Sequence, residues 1–572
     1  MSVPSLPRTA PPQDAAQALQ RTLARCWPTA TPAALALAGL ALRAVQQGHT
    51  CLDLDSLEVA PESADAAWSA QELRAAAGGA PFIGVGDTSL PLVLDGGRRL
   101  YLRRYRDYEV RLASQLRARA AWFDAEEDPA RVARLLDPAD HAAPDWQRVA
   151  LALSLYRRLL VLCGGPGTGK TWTIARMVAL WRARHGPGYR IGLAAPTGKA
   201  AARLAEALGP LAATVAPTTL HRLLGQRRHG VRARHDAANP LALDALVVDE
   251  CSMVDLPLMT RLVEALPARA RLVLVGDPDQ LPAVESGAVL AALAQFNRGG
   301  SAPPAQADWL RAADAGTLPT APAAGLAANV VHLARRHRFA ADSGLGALLD
   351  AIRAGDAPRV RALLAAGGQG AIQWLQPGAA SRAHVVASLR EGYAPLLQAR
   401  DAAAALRALG RFRVLCALRE GMSGTRGLNP WIEARLAAHG TRVPAPWLVE
   451  ANDPLAGVYN GDLGVSLPAD PSMLWFADGA AARAVARSRL PAHASAWAMT
   501  VHKAQGSEFD AVMVLLPPRP HPLLSREWLY TALSRARQRV VVHAAPEVFD
   551  AAVLALGTRQ SGLGARLQGG AG

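Results

Sequence analysis

Three short stretches of this chain combine residue types that do phosphate chemistry. The first is "LVLCGGPGTGKTWT" (160–173), which reads as an apolar strand, a Gly-rich turn and a helix start. Within it, Gly164 to Thr171 fit G-x-x-x-x-G-K-[ST] in full. Such a turn (Gly164, Gly165, Pro166, Gly167, Thr168, Gly169) curls its backbone N–H groups around phosphate, and the helix N-terminus adds partial positive charge. Lys170 is placed to reach β- and γ-phosphates, and Thr171 to set its hydroxyl on Mg²⁺. The second stretch, "ALVVDECSMVD" (245–255), is an apolar strand ending in two carboxylates, which a core does not bury without a use for them. Asp249 is placed to hold Mg²⁺, directly or through water, and Glu250 to orient and deprotonate an attacking water. The third, "LVLVGDPDQLP" (272–282), ends a strand in polar residues. Gln280 there could sense a γ-phosphate through its amide, although Gly276-Asp277-Pro278 also reads as a plain turn.

These residues need strands to aim them. From about residue 140, short apolar runs alternate with helical patterns ("LLVLC", "RIGLAAP", "ALVVDE", "RLVLVGD"), the signature of a parallel α/β sheet. A second such pattern begins near 330, with strands at "RFRVLCAL" (411–418) and "DAVMVLL" (510–516). The Gly/Pro-rich segment 425–495, with short strand-like runs, reads as a small β insertion. Residues 297–327, rich in Pro, Ala and Gly, read as a mobile surface loop or linker. Residues 1–135 are helical in pattern, with a basic amphipathic stretch at 98–123 and a core helix starting after Pro32. The expected division is therefore 1–135, 140–330, 331–424 with 496–550, 425–495, and a tail at 551–572.

Composition narrows the class. The chain has 572 residues, a formal charge of +15 and a pI near 10.4, which points to a polyanionic partner, nucleic acid first. Its five cysteines are scattered without a CxxC pair, against a disulfide framework, structural zinc or an iron–sulfur cluster. No signal architecture opens the chain, and the run 33–42 is too short for a bilayer, which needs about 20 residues; a cytoplasmic protein is expected. Of 62 Lys plus Arg only three are lysine: Lys170, Lys199 and Lys503. Lys170 and Lys199 sit in phosphate-type turns, where a compact ammonium fits and a guanidinium fork does not. Thr197, Gly198 and Lys199 follow a strand and open a helix, so N–H groups and ammonium can meet a phosphate. By the same logic Lys503 belongs in a tight polar site. No lysine stands beside paired carboxylates in the D/E-x-K manner, so a nuclease site is not expected.

The phosphate loop is followed in order by "LAAPTGKAAARLAEAL" (193–208), "TLHRLLG" (219–225), "VVDECSM", "GDPDQLPAVESGAVL", "VYNGDLGV" (458–465), "TVHKAQGSEFD" (500–510) and "LYTALSRAR" (529–537). Together they resemble the superfamily 1 helicases over roughly 140–545. The wording is closest to the RecD family, the α subunits of RecBCD (exodeoxyribonuclease V) complexes, and "AVQQGHTCLDLDS" (44–56) is similar to that family's N-terminal domain. The resemblance implies an α/β fold: two RecA-like P-loop domains, a helical, partner-binding N-terminal domain and a small β-rich, SH3-like insertion. It implies ATP and Mg²⁺ as cofactors, single-stranded DNA at duplex ends as substrate, 5′-to-3′ unwinding, and RecB-like and RecC-like subunits in a heterotrimer. A stand-alone RecD-like repair helicase and a non-motor regulatory DNA-binding subunit are the alternatives.

By the same resemblance Gln147 reads the adenine, Gln280 senses the γ-phosphate, and Arg338 ("ARRHRF") and Arg535 ("ALSRAR") come from the second α/β domain to the nucleotide. Thr219 and His221 resemble a second DNA contact on the first domain, and Thr500 and His502 the matching contact on the other. In "TVHKAQGSEFD", Gln505, Gly506 and Glu508 would approach the nucleotide, Glu508 at the ribose, with Lys503 between the two jobs.

Overall fold

The structure is a computed structural model that describes residues 12–57, 68–86, 88–136, 145–226, 233–322, 325–335, 344–378, 381–437, 443–453, 455–479 and 481–569. Among these, strands form four sheets. The first α/β sheet has six strands, all parallel, in the order Val330–Leu333, Leu159–Gly164, Arg271–Gly276, Ala245–Val248, Ile191–Ala195, Thr218–Thr219. Its central strands are buried at every residue, because helices cover both faces. That is why these stretches read as unbroken apolar runs rather than alternating ones.

The second α/β sheet is also parallel: Ile372–Leu375, Ala536–His543, Phe509–Leu515, Phe412–Cys416, Ala498–Thr500. Between its strands Phe412–Cys416 and Ala498–Thr500 the chain leaves to build an antiparallel five-stranded sheet, in the order Ala481–Ala486, Asp470–Asp478, Leu463–Leu467, Ala445–Val449, His493–Ser495. Here burial alternates over Met473–Ala477, so Leu474 and Phe476 pack inward while their neighbours lie on the opposite, less buried face. The sheet lies within the expected 425–495, but the start of that stretch, Thr425–Leu436, is a helix packed on the second domain's strand Ala498–Thr500 rather than part of the sheet.

Three regions differ from the sequence reading. The N-terminal part has the helix after Pro32, capped by Thr31, whose hydroxyl accepts from Ala34 N–H. It also holds a four-stranded sheet of Leu52–Asp53, Arg99–Leu102, Leu92–Asp95 and Ile83–Val85, strands of two to four residues and too short to show a period. The stretch 297–327 is not simply a loop: Pro304–Ala312 is a helix, and Ala307, Leu310, Ala313, Ala315 and Leu318 are buried against the first domain. Proline at its start suits a first helical turn. The strand Val330–Leu333 pairs with Leu159–Gly164, so the first sheet runs past 330.

Two further features tie the pieces together. The basic helix Arg103–Ala121 packs on helix Leu256–Ala265, and its buried Arg119 donates to the carbonyls of Val263, Leu266, Pro267 and Ala270. A cation at a helix C-terminus satisfies carbonyls that lack partners; this arginine is structural. The final segment returns from the second domain to the N-terminal part. Thr50 N–H donates to Gln560 O at 2.9 Å. The fully buried Glu109 accepts from Thr50, Tyr101 and Ser561 side chains and from Gly562 N–H. Leu563 and Leu567 enter the first domain's core. No helix among the described residues is long and apolar enough to cross a membrane.

Candidate nucleotide cleft and nucleic-acid interface

The phosphate loop leaves the C-terminal end of strand Leu159–Gly164 and enters helix Lys170–His185. Gly167 (φ +75°) and Gly169 (φ +83°) take left-handed backbone, which side chains disfavour. Gly164 and Gly165 are required for a different reason: a Cβ there would lie 2.4 Å from Thr168 Oγ1 and 2.9 Å from Tyr530 Oη respectively. Lys170 Nζ donates to Gly164 O (2.7 Å) and Gly165 O (2.9 Å). Gln147, on helix Trp146–Tyr156, donates through its amide to Thr168 O at 3.0 Å, which places it against the loop.

A cavity of about 650 Å³ opens over this loop. Its walls include Lys170, Thr171, Trp172, Arg203, Asp249, Glu250 and Gln280 from the first domain, and Gly506, Glu508, Arg535 and Arg537 from the second. Asp249 is buried; burial first, then the neighbouring Glu250 carboxylate, push its carboxyl above the usual range. Glu250 holds φ +53°, a conformation that costs a residue with a side chain about 1 kcal/mol or more, and its N–H donates to Asp249 Oδ1 at 2.8 Å. Arg535 is buried, with donors on Thr531 O and Ser507 O. Burial lowers its guanidinium, and the Glu250 and Glu508 carboxylates oppose that. Arg338 lies outside the described residues.

Several contacts between the domains were not visible in the sequence. Gln280 donates to Asp277 Oδ2 (3.0 Å), which also accepts from Tyr530 Oη (3.2 Å). Leu281 N–H donates to Thr531 Oγ1, and Gln505 Nε2 donates back to Leu281 O. Arg203 reaches Gly506 O (2.8 Å) and Glu508 (3.2 Å), and Arg537 also reaches Glu508 (3.3 Å). These residues sit inside the recognisable motifs, but partners 250 or 303 positions apart leave no local signal.

The expected DNA contacts gather along one rim of the interdomain cleft. Thr219 pairs with Ala195 in register, two residues before Thr197, so both threonines stand at the ends of adjacent strands. Each caps a helix: Thr197 Oγ1 accepts from Ala200 N–H and Thr219 Oγ1 from Arg222 N–H. His221 is exposed. Lys199 is partly buried, and burial together with the Arg413 and Arg203 charges pushes its ammonium down to about 8. On the second domain Thr500 is buried at its strand end and His502 is half-buried; burial, then Arg559 and Arg419, lower the His502 imidazole. The insertion's "VYNGDLG" loop tips onto this rim: Tyr459 packs beside Gly198 and accepts from Arg222, and Asn460 Oδ1 accepts from Lys503 Nζ at 2.8 Å. Lys503 is thus in a partly buried polar site.

A phosphate loop on one parallel sheet, faced across a cleft by an arginine from a second, defines a nucleotide-binding protein of the two-domain P-loop class. Residues 147–286 match the AAA domain family, 495–543 the UvrD-like helicase C-terminal domain, and 13–101 the RecBCD enzyme subunit RecD N-terminal domain. The chain is 38% identical to the RecBCD enzyme subunit RecD of Mycolicibacterium smegmatis over 92% of each chain. It is 39% identical to that of Mycobacterium tuberculosis over 94% of this chain and 91% of that one. The ATP-dependent RecD2 DNA helicase of Deinococcus radiodurans is 32% identical over 78% of this chain and 55% of its own length. The structure of Bacteroides Pif1 bound to ssDNA superposes loosely, with a TM-score of 0.39 and 18% identity over 70% of this chain and 92% of that one. The chain belongs to the RecD family of RecBCD enzyme subunits.

Proposed function

We propose that this chain is the ATP-dependent, 5′-to-3′ DNA helicase subunit of a RecBCD-type helicase–nuclease, acting on double-strand DNA ends in the cytoplasm beside RecB-like and RecC-like subunits. The observation that carries the reading is the shared cleft: Arg535 and Glu508 of the second domain line the same cavity as Lys170, Asp249 and Glu250 of the first. The loop from Gly164 to Gly169 cradles the phosphates, Lys170 meets β- and γ-phosphate, and Gln147 and Glu508 take the adenosine end. Thr171 and Asp249 are hard oxygen donors lining one cavity, one of them a buried acid pressed by a second carboxylate, and they fit Mg²⁺ with waters and phosphate oxygens completing the shell. When bound, the ion neutralises phosphate charge. Glu250 orients the attacking water and accepts its proton, while Arg535, with Arg338 in the same role, stabilises charge on the transferred phosphoryl group.

Gln280 reports the γ-phosphate through Asp277 and Tyr530 to the second domain. Thr197, Gly198, Lys199, Thr219 and His221 grip DNA on one domain, Thr500 and His502 on the other, and closure of the cleft shifts one set against the other. A regulatory subunit with a degenerate site has no need of this full set. The test is ATP hydrolysis by the purified chain with and without single-stranded DNA. DNA is expected to stimulate the wild type, and Lys170→Gln to remove at least about 100-fold of the rate; a rate indifferent to Lys170→Gln contradicts the reading.

A further inference from the structure

Arg203 lies in helix Gly198–Leu208, one turn after Lys199, so the two side chains leave the same helix face about 5–6 Å apart. Lys199 stands at the rim where DNA contacts gather, whereas Arg203 lines the nucleotide cavity. Its guanidinium crosses the domain boundary with two prongs, to Gly506 O at 2.8 Å and to the Glu508 carboxylate at 3.2 Å. Gly506 holds φ +69°, left-handed backbone that favours glycine, and the position of a Cβ there is in ordinary contact with Ala200 Cβ (3.8 Å) and Thr197 Oγ1 (4.0 Å), so this turn packs directly on the start of the first-domain helix. The segment that Arg203 holds continues back to His502 and Thr500 within six residues. One side chain therefore spans two segments, each with a DNA contact at one end and a cavity residue at the other.

We propose that Arg203 is a positioning residue that couples the nucleotide cleft to the spacing of the two DNA grips. Held by both prongs, the Gly506–Glu508 segment follows the first-domain helix when the cleft closes, and Thr500 and His502 move with it. The planar fork matters, because a single ammonium cannot serve a carbonyl and a carboxylate in fixed directions together. This inference rests on the motor reading above.

The test is the affinity of the full chain for an oligo-dT probe, with and without a non-hydrolysable ATP analogue and Mg²⁺. The ratio of the two affinities is expected to be about five-fold or more in the wild type, and under about two-fold in Arg203→Ala. Glu508→Gln is expected to reduce the ratio, with no further loss in the double variant. Arg203→Lys is expected to fall between, and it serves alone if the alanine variant does not fold. A wild type whose DNA affinity ignores the nucleotide contradicts the motor reading itself. A responsive wild type with an equally responsive Arg203→Ala or Arg203→Lys, or single losses that simply add, overturns the role of Arg203.

Discussion

At the scale of single residues, the chemistry of the cleft divides between compact and forked cations. Lys199 carries an ammonium that burial and neighbouring arginines bring down to about 8, so it is charged at neutral pH and loses its proton as pH rises through 8. A DNA phosphate favours the charged form and raises that value in the complex. The part of DNA affinity due to Lys199 is therefore present below pH 8 and fades above it. Fluorescence anisotropy at pH 7 and pH 9 is expected to show weaker binding at pH 9. Lys199→Met should flatten that dependence and lower the salt slope by about 0.7. Arg535 works differently, as a buried fork that lines the cavity from the second domain while Thr531 O and Ser507 O hold it in place. Arg535→Ala is expected to lower kcat for ATP by about 10³-fold with a much smaller change in KM, as steady-state kinetics would show.

Among elements, the phosphate loop and the "DE" strand were legible because each packs its function into one turn with a strand before it. Lys170, Thr171, Asp249 and Glu250 reach the cavity without help from distant sequence. Arg203, Tyr530 and Thr531 were hidden because their partners come from the other domain. The helix Pro304–Ala312 was masked by composition: Ala307, Leu310 and Ala313 have helical spacing, but alanine among Pro and Gly carries little apolar signal. The small N-terminal sheet was missed because strands of two to four residues have no readable alternation. The returning C-terminal segment meets that part at Glu109, where Arg566 and three hydroxyls converge on one buried carboxylate. Glu109→Ala leaves Arg566 paired with Asp95 but strips the Tyr101 and Ser561 hydroxyls and Gly562 N–H of a buried acceptor, and is expected to cost about 2 kcal/mol in denaturant unfolding. A cost under about 0.5 kcal/mol would show that the segment is not anchored there.

Taken whole, the molecule places two parallel sheets across one cleft, carries the antiparallel insertion on the second, and rests the insertion's Tyr459 and Asn460 beside Gly198 and Lys503, along the rim proposed to hold DNA. The proposed nucleotide and DNA sites are thereby linked through one interdomain contact, the arrangement that the proposed motor needs. Much of the positive charge remains at exposed arginines, and some, such as Arg119, is internal; net charge alone marks a polyanion partner but not the track. The most direct measurement is unwinding of forked DNA bearing a 5′ or a 3′ single-stranded tail, by wild type and Lys170→Gln, with and without RecB-like and RecC-like subunits. Unwinding driven by this chain is expected on 5′-tailed forks and is abolished by Lys170→Gln; a preference for 3′ tails, or unwinding that survives Lys170→Gln, would contradict it.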